Sequence, residues 1–391
     1  MMALPFDELS LVACARALVK IPSVLGHEDA MAISVRDEMK QLAFDAIETD
    51  EAGNVIGVVN GSTPGPTLLF DAHMDTVDVV PREVWAHDPF GAELVDGRIY
   101  GRGSSDMKGA LAAMLHAAGC VDRERLRGRI VVSASVGEEQ IEGAALRCVM
   151  DRYHPDFVVI GESSNLNLVR AGRGRAEFIL KSHGRPSHAS SPAQGLNAVH
   201  EMCRVIAEIE ALQMSAHSFV GSGVMCLTDI ISIPYPAHSV VPSGCQVTYE
   251  RRLIPGETRE ALVDELHAAC ERAKAGDTTI ELASIHYKTY TGIEWREEKW
   301  YPPWELSEDS SFVRSAKAGL DAAGFSPSFA SYQFCTNAAY SAGVANVPTI
   351  GFGPSSEHLA HITDEYLEVA QLTGACRGYM AISESVLGRH Q

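Results

Sequence analysis

The sequence predicts an α/β protein: a mixed, mostly parallel sheet flanked by helices, with a smaller α+β domain inserted into it. Three observations predict this. Short apolar runs ending in an acid or a histidine alternate with helical stretches, the pattern of a largely parallel sheet. The middle of the chain changes to half-exposed strands in the order β-α-β-β-α-β, a ferredoxin-like arrangement. The 391 residues, 46% of them hydrophobic, are enough for two cores. The expected division is 1–173 with 286–391 for the larger domain and 174–285 for the insert.

The first expected element is an amphipathic helix near the N-terminus, with Leu9, Val12, Ala13 and Leu18 on one side. Acids and no basic run precede its apolar part, so no signal peptide is read. A second helix is expected over 26–42, then strands over 46–50 and 54–59 joined by Glu51-Ala-Gly53. The central element is 67–77, TLLFDAHMDTV. Its run Leu68-Leu69-Phe70 closes in polar residues, as a buried strand does. His73 and Asp75 lie two residues apart, so in extended chain they share a face. A metal-ligating imidazole usually gives its other N–H to a carboxylate or carbonyl, and Asp75 is placed to receive it. A solvent-capped strand end would show the same pair. Ligands in α/β sheets gather at such strand ends.

Beyond it, Asp96-Gly97 marks a hairpin. Gly101-Arg-Gly-Ser-Ser-Asp106-Met-Lys-Gly109 is a Gly-rich loop running into a small-residue helix that ends near 121. It lacks the Walker and Gly-x-Gly-x-x-Gly spacings, so it reads as a tight turn presenting Asp106 rather than a phosphate cradle. The 129–136 strand ends in Gly137-Glu138-Glu139, two acids that are solvated or bind a cation. A helix over 143–150 leads to the 156–160 strand, which ends in Gly161-Glu162. One histidine and several carboxylates thus collect along one edge of the sheet, a metal-site signature of nitrogen and oxygen donors.

The insert is read as strands over 175–181, 224–231, 246–253 and 278–285, with helices over 192–212 and 257–275. The remainder is read as a charged loop over 297–308, a helix over 311–324, a strand within 347–354, then Glu357-His358-Leu-Ala-His361 and a closing helix over 364–385. A net charge of −19 makes nucleic acid and anionic membrane poor partners. No apolar run reaches 18 residues. The nine cysteines are scattered singly and odd in number, which points to free thiols in a reducing cytoplasm, most of them small buried core residues.

With these residues in view, the chain resembles the metal-dependent amidohydrolases that include acetylornithine deacetylase, succinyl-diaminopimelate desuccinylase, aminoacylase-1 and bacterial glutamate carboxypeptidase. The marks are His73-x-Asp75, the Gly101 to Gly109 loop, Gly137-Glu138-Glu139, Gly161-Glu162, the Gly184-Arg-Pro-Ser-His188 stretch continuing to Ala198, and a late His361. The resemblance implies a zinc-exopeptidase-like catalytic domain and a lid. It implies two divalent ions, zinc first, with cobalt or manganese as alternatives. Asp106 would bridge them, His73 and Glu162 would complete one shell, and Glu139 and His361 the other. His361 is preferred to His358 for its place before Ile-Thr-Asp-Glu. Asp75 would orient His73. Glu138 would be the general base, taking a proton from a metal-activated water and handing it to the leaving amine. A cis peptide after Asp106 is also implied.

Substrate contacts implied in the same way are His188, to stabilise the oxyanion, often in the partner subunit's site, and Arg252 or the adjacent Arg251, to bind a carboxylate. Ser239 and Asn337 stand where the family often has Asn, and Asp or Gly, in the acyl pocket. The implied reaction is hydrolysis of an amide in an N-acyl amino acid or small peptide. A carbamoyl or ureido amino acid, or a dipeptide, is the alternative within that chemistry; a metal-less scaffold or binding protein is the alternative outside it. Arg251-Arg252-Leu-Ile-Pro-Gly-Glu257 and Gly351-Phe-Gly-Pro354 resemble a hydrolase subgroup linked to selenium metabolism. A homodimer formed through the insert is expected.

Overall fold

The computed structural model of the chain describes residues 6–388; the readings that fall on 1–5 and 389–391 lie outside the described residues. Its larger sheet runs, in spatial order, Ala46–Thr49, Val55–Asn60, Arg127–Ser135, Thr63–His73, Phe157–Ile160, Thr349–Gly351, Leu168–Gly172, Trp304–Glu305, with Phe329–Tyr332 also on Leu168–Gly172. The four central strands, from Arg127–Ser135 to Thr349–Gly351, run parallel. The strands outside them pair antiparallel at both margins, apart from Phe329–Tyr332.

The apolar runs are continuous because both faces are covered. Leu68 and Phe70 pack with the helices Glu8–Val19, Gly109–Cys120 and Val369–Leu387 on one face. Leu69, Val131 and Val158 pack with Leu146 and Val149 of helix Ala144–Tyr153 on the other. Pairing of His73 with Ser135, Asp71 with Ile160 and Ile160 with Gly351 brings the four C-terminal strand ends level. The loops that leave these ends therefore share one rim.

The second sheet has the order Val224–Ile233, Gly244–Leu253, Gly174–His183, Thr278–Leu282, all antiparallel. Helices Ala198–Glu210 and Arg259–Arg272 cover Phe178, Leu180, Val247 and Tyr249. This is the ferredoxin-like order. The Asp106–Met107 peptide is cis.

Several element readings need correction. The first helix buries Leu11, Cys14, Ala15, Leu18 and Val19, while Leu9 is 80% exposed. The buried stripe at i, i+3, i+4, i+7 and i+8 uses small residues that hydrophobicity alone undervalues. The helix expected over 192–212 starts only at Ala198, where the Asn197 side chain caps the Val199 N–H at 3.0 Å. The strand expected over 278–285 breaks at Ala283, and Ser284–Lys288 instead pairs with Glu294–Glu298. Residues 297–308 are not one loop: Trp300–Tyr301 and Trp304–Glu305 each add a short strand to a sheet. Leu168–Gly172 and Phe329–Tyr332 carry no periodic signal of their own and were not foreseen.

Candidate active site

The rim is shaped by two glycine turns. Gly103 has φ +81°, and a Cβ there would lie 2.7 Å from the Thr76 methyl. The turn it permits lets buried Glu365 accept the N–H groups of Gly103, Ser105 and Asp106 at 3.1, 2.8 and 3.1 Å. The same carboxylate takes Arg102 Nη1 at 2.6 Å. The Asp106 loop is thus held from behind by Glu365, which the sequence reading missed. Its only signals are a matching Arg102 in the loop and a place four residues after His361. Gly137, at φ +74°, turns the next loop so that the N–H groups of Glu138 and Glu139 reach Asp75 at 3.2 and 3.0 Å.

His73 sits at the centre. Its Nδ1–H donates to the Asp75 main-chain carbonyl at 2.9 Å, and the Asp75 carboxylate is 3.6 Å away. A carbonyl only accepts, so the proton is on Nδ1. The other nitrogen, Nε2, faces Asp106 Oδ1 at 3.1 Å, Glu162 Oε1 at 3.5 Å and Glu138 Oε2 at 3.8 Å. On the far side, His361 Nε2 lies 3.1 Å from Asp106 Oδ2 and 3.0 Å from Glu139 Oε2. Each Asp106 oxygen therefore addresses a different histidine. His358 lines the same cavity without such contacts.

A neutral imidazole would point a lone pair at these carboxylates, which is repulsive without a cation between them. Imidazolium forms of His73 and His361 together would answer only two of the four clustered carboxylates. The donor set is nitrogen and oxygen, and two groups, His73 with Glu138 and Glu162, and His73 with Asp106 and Glu139, place their donor atoms within 4.8 Å of one another. The residues fit divalent cations of the zinc, cobalt or manganese type.

Burial raises the Glu162 carboxyl to about 7, raises Glu139, and lifts Glu138 well above the usual glutamate range. Asp106 departs from this pattern. Burial acts on it most strongly, yet the hydrogen bonds from His361 and His73 hold it below the usual range. Those bonds to Asp106 and Glu139 in turn push His361 up to about 10. Glu138 Oε1 is buried with no hydrogen-bond partner among the described residues.

These residues open into a cavity of about 380 Å³ that is also lined by Glu142, Arg175, Arg252, Phe334, Cys335 and Glu357. Arg252 faces the cavity. Arg251 points to the other side of its strand, where it is buried against Glu257. Arg175 stands directly across the ladder from Arg252 and bonds Glu142 at 2.9 Å. Two guanidinium groups placed opposite each other repel unless anions compensate, and Glu142 answers Arg175 while Glu250 pairs with Arg252 at 2.7 Å. Arg175 and Glu142 were not foreseen, because their place here depends on strand register between separate parts of the chain.

Three expected substrate contacts lie elsewhere. Asn337 is buried and fully used: its oxygen accepts Gly143 N–H at 2.6 Å, and its amide donates to Asp71 at 2.8 Å and Ser135 at 3.1 Å. It staples the turn after Glu142 to the sheet and does not wall the cavity. His188 and Ser239 lie on neighbouring exposed loops of the second sheet's region, where Ser239 O accepts the Ala189 N–H at 3.0 Å. Neither lines the cavity. His188 Nδ1 is 2.7 Å from Ser190 Oγ.

Residues 69–385 match the model of peptidase family M20/M25/M40. The chain belongs to this family. It is a hydrolase of the metallopeptidase and amidohydrolase type. The M20 chain is 31% identical over 382 residues to an uncharacterised protein, YgeY, of Escherichia coli K12, covering 95% of this chain and 93% of that one. It is 28% identical over 316 residues to the acetylornithine deacetylase of Buchnera aphidicola subsp. Schizaphis graminum, covering 77% and 76%. Among solved structures it is similar to the aminopeptidase PepT of Bacillus cereus, with a TM-score of 0.76, 22% identity and coverage of 98% and 99%. It is also similar to the Bacillus subtilis protein YXEP, described as a dinuclear metal binding peptidase, with a TM-score of 0.73, 14% identity and coverage of 97% and 98%. At such identities the structural likeness bears on the fold.

Proposed function

We propose that this M20 chain hydrolyses an amide bond in a small carboxylate-bearing substrate, an N-acyl amino acid or a short peptide. The observation that carries the reading is the unpaired Glu138 Oε1, buried between the His73–Asp106–Glu162 cluster and a cavity walled by Arg252 and Arg175. His73, Asp106 and Glu162 would hold one divalent ion, and Asp106, Glu139 and His361 a second. Bound there, the ions would acidify an attacking water and polarise the scissile carbonyl. Glu138 Oε1 accepts the proton from that water and returns it to the leaving amine. Asp75 holds the Glu138–Glu139 backbone, and with it the carboxylate that moves the proton. Arg252, with Arg175 behind it, takes the substrate carboxylate.

His188 and Ser239 reach substrate only if the second sheet closes over the cavity or a partner subunit supplies them. We place a homodimer through that sheet. In support, its edge strand Val224–Ile233 exposes Val224, Ile230, Ile231 and Ile233. The stretches Arg251 to Glu257 and Gly351 to Pro354 favour the selenium-linked hydrolase subgroup. Nine unpaired thiols favour the cytoplasm.

The test is hydrolysis of a panel of N-acyl amino acids, dipeptides and N-carbamoyl amino acids, each with a free and an amidated carboxylate, after loading with zinc, cobalt or manganese. Turnover of free-carboxylate N-acyl amino acids or peptides supports the reading. Turnover confined to carbamoyl substrates, or indifferent to the carboxylate, overturns it.

A further inference from the structure

A second cluster of metal-type donors lies away from the cavity, where three helices meet under the larger sheet. Cys14 comes from helix Glu8–Val19, Glu38 from Asp29–Gln41 and His116 from Gly109–Cys120. One donor atom from each lies within 4.8 Å of the other two, and His116 Nε2 is 3.0 Å from Glu38 Oε1. Cys14 and His116 are 6% and 2% exposed, and the Glu38 side chain 18%. We propose that these three residues bind one further divalent ion of the zinc class, tying the first three helices together.

The surroundings make the cluster unusual. Apart from His116, the buried residues of its helix are small or apolar, from Gly109 to Ala118. A thiol, a carboxylate and an imidazole brought together in such a wall are costly unless each is satisfied. Metal–ligand bonds of ~2.0–2.3 Å put tetrahedral donors roughly 3.3–3.8 Å apart, so side-chain shifts of under about 1 Å close the observed set around an ion. Sulfur, nitrogen and oxygen donors together favour zinc or cobalt over magnesium or calcium. Glu38 is the one partly exposed member, so an ion and a fourth ligand from solvent would enter from its side.

The Cys14 thiol is protonated without an ion, since burial, then the Glu38 charge and the hydrogen bond to Glu38, raise its pKa well above the usual value. Binding therefore releases that proton: Cys–SH and M²⁺ give Cys–S–M⁺ and H⁺. Glu38 binds as the carboxylate and His116 through a neutral nitrogen.

The full chain, stripped of metal and titrated with Co²⁺, supplies the test. The donors clustered around His73 are nitrogen and oxygen, so a thiolate-to-cobalt charge-transfer band in the near ultraviolet reports a cysteine ligand. Cys335 lines the catalytic cavity and serves as the control. The expected result is a band in wild type and in Cys335→Ser, absent in Cys14→Ser, which also binds one ion fewer per chain. Should Cys14→Ser fail to fold, Glu38→Gln should raise the Co²⁺ concentration at half-saturation of the band by roughly tenfold or more. No band in wild type at saturating Co²⁺, a band that survives Cys14→Ser, or an unchanged midpoint in Glu38→Gln overturns the proposal and leaves a hydrogen-bonded triad without metal. None of these outcomes bears on the catalytic reading.

Discussion

Asp75 shows how a correct residue can carry a different contact from the one its spacing suggests. The strand ends at His73, and Asp75, just beyond it, lies beside His73 with its main-chain carbonyl taking the imidazole N–H. The carboxylate is thereby free to accept two backbone N–H groups from the Glu138–Glu139 turn. Replacing it with Asn turns one of those contacts into donor against donor. Asp75→Asn should lower kcat by about 10–100-fold, as loss of such supporting contacts typically does. Steady-state kinetics would check this, and unchanged kcat would sink the role. A second residue-scale prediction concerns Glu28. Burial, then the Asp75 charge, raise its carboxyl from 4.5 to about 7, and Tyr287 OH donates to it at 3.2 Å. Between those values the folded chain holds a proton that the unfolded chain has lost, so this group's contribution to stability falls as pH rises from about 4.5 to about 7. Glu28→Gln should remove that slope. The variant should match wild type near pH 4 and exceed it at pH 8 by on the order of 3 kcal/mol. Urea denaturation across pH would reveal the slope; parallel pH profiles for the two proteins would count against it.

At the scale of elements, four neighbouring parallel strands deliver His73, Glu138 with Glu139, Glu162 and His361 to one rim. The acids and His73 were legible from local signals: His73 closes an apolar run, and Glu138 and Glu162 each follow an apolar run and a glycine. Asp106 was legible from its Gly-rich loop. What holds the loop was not, since Glu365 is more than 250 residues away and meets Arg102 only in the fold. The Arg102–Glu365 pair is almost wholly buried, at 6% and 0% side-chain exposure. Glu365→Ala leaves a buried guanidinium and three backbone N–H groups unanswered, and should cost about 3–5 kcal/mol in urea unfolding. Arg175 was illegible for a related reason: alternation marks it as half-exposed, and only the register with Arg252 reveals what it faces. If the two guanidinium groups hold a substrate carboxylate, Arg252→Ala should raise KM by about 10-fold or more for free acids. It should leave amidated analogues near their wild-type KM. Equal losses on both would argue against the contact.

The whole molecule joins a sheet that carries the chemistry to a second sheet whose Arg175 and Arg252 complete the cavity wall. The overall α/β class and the ferredoxin-like order were readable because periodicity changes sharply between the two parts. The short aromatic strands near 300–305 were not, because two-residue strands carry no period of their own. The exposed edge strand bears on assembly: Ile231→Lys should shift a dimer toward monomer in sedimentation velocity, and a monomeric wild type would remove the proposed interface. The most direct measurement of the catalytic claim is turnover by metal-loaded Glu138→Gln beside wild type, with bound ions counted in both. The ion count should be unchanged and kcat should fall by about 10²–10⁴. Wild-type turnover by the variant at the same ion count would contradict Glu138 as the group that moves the proton.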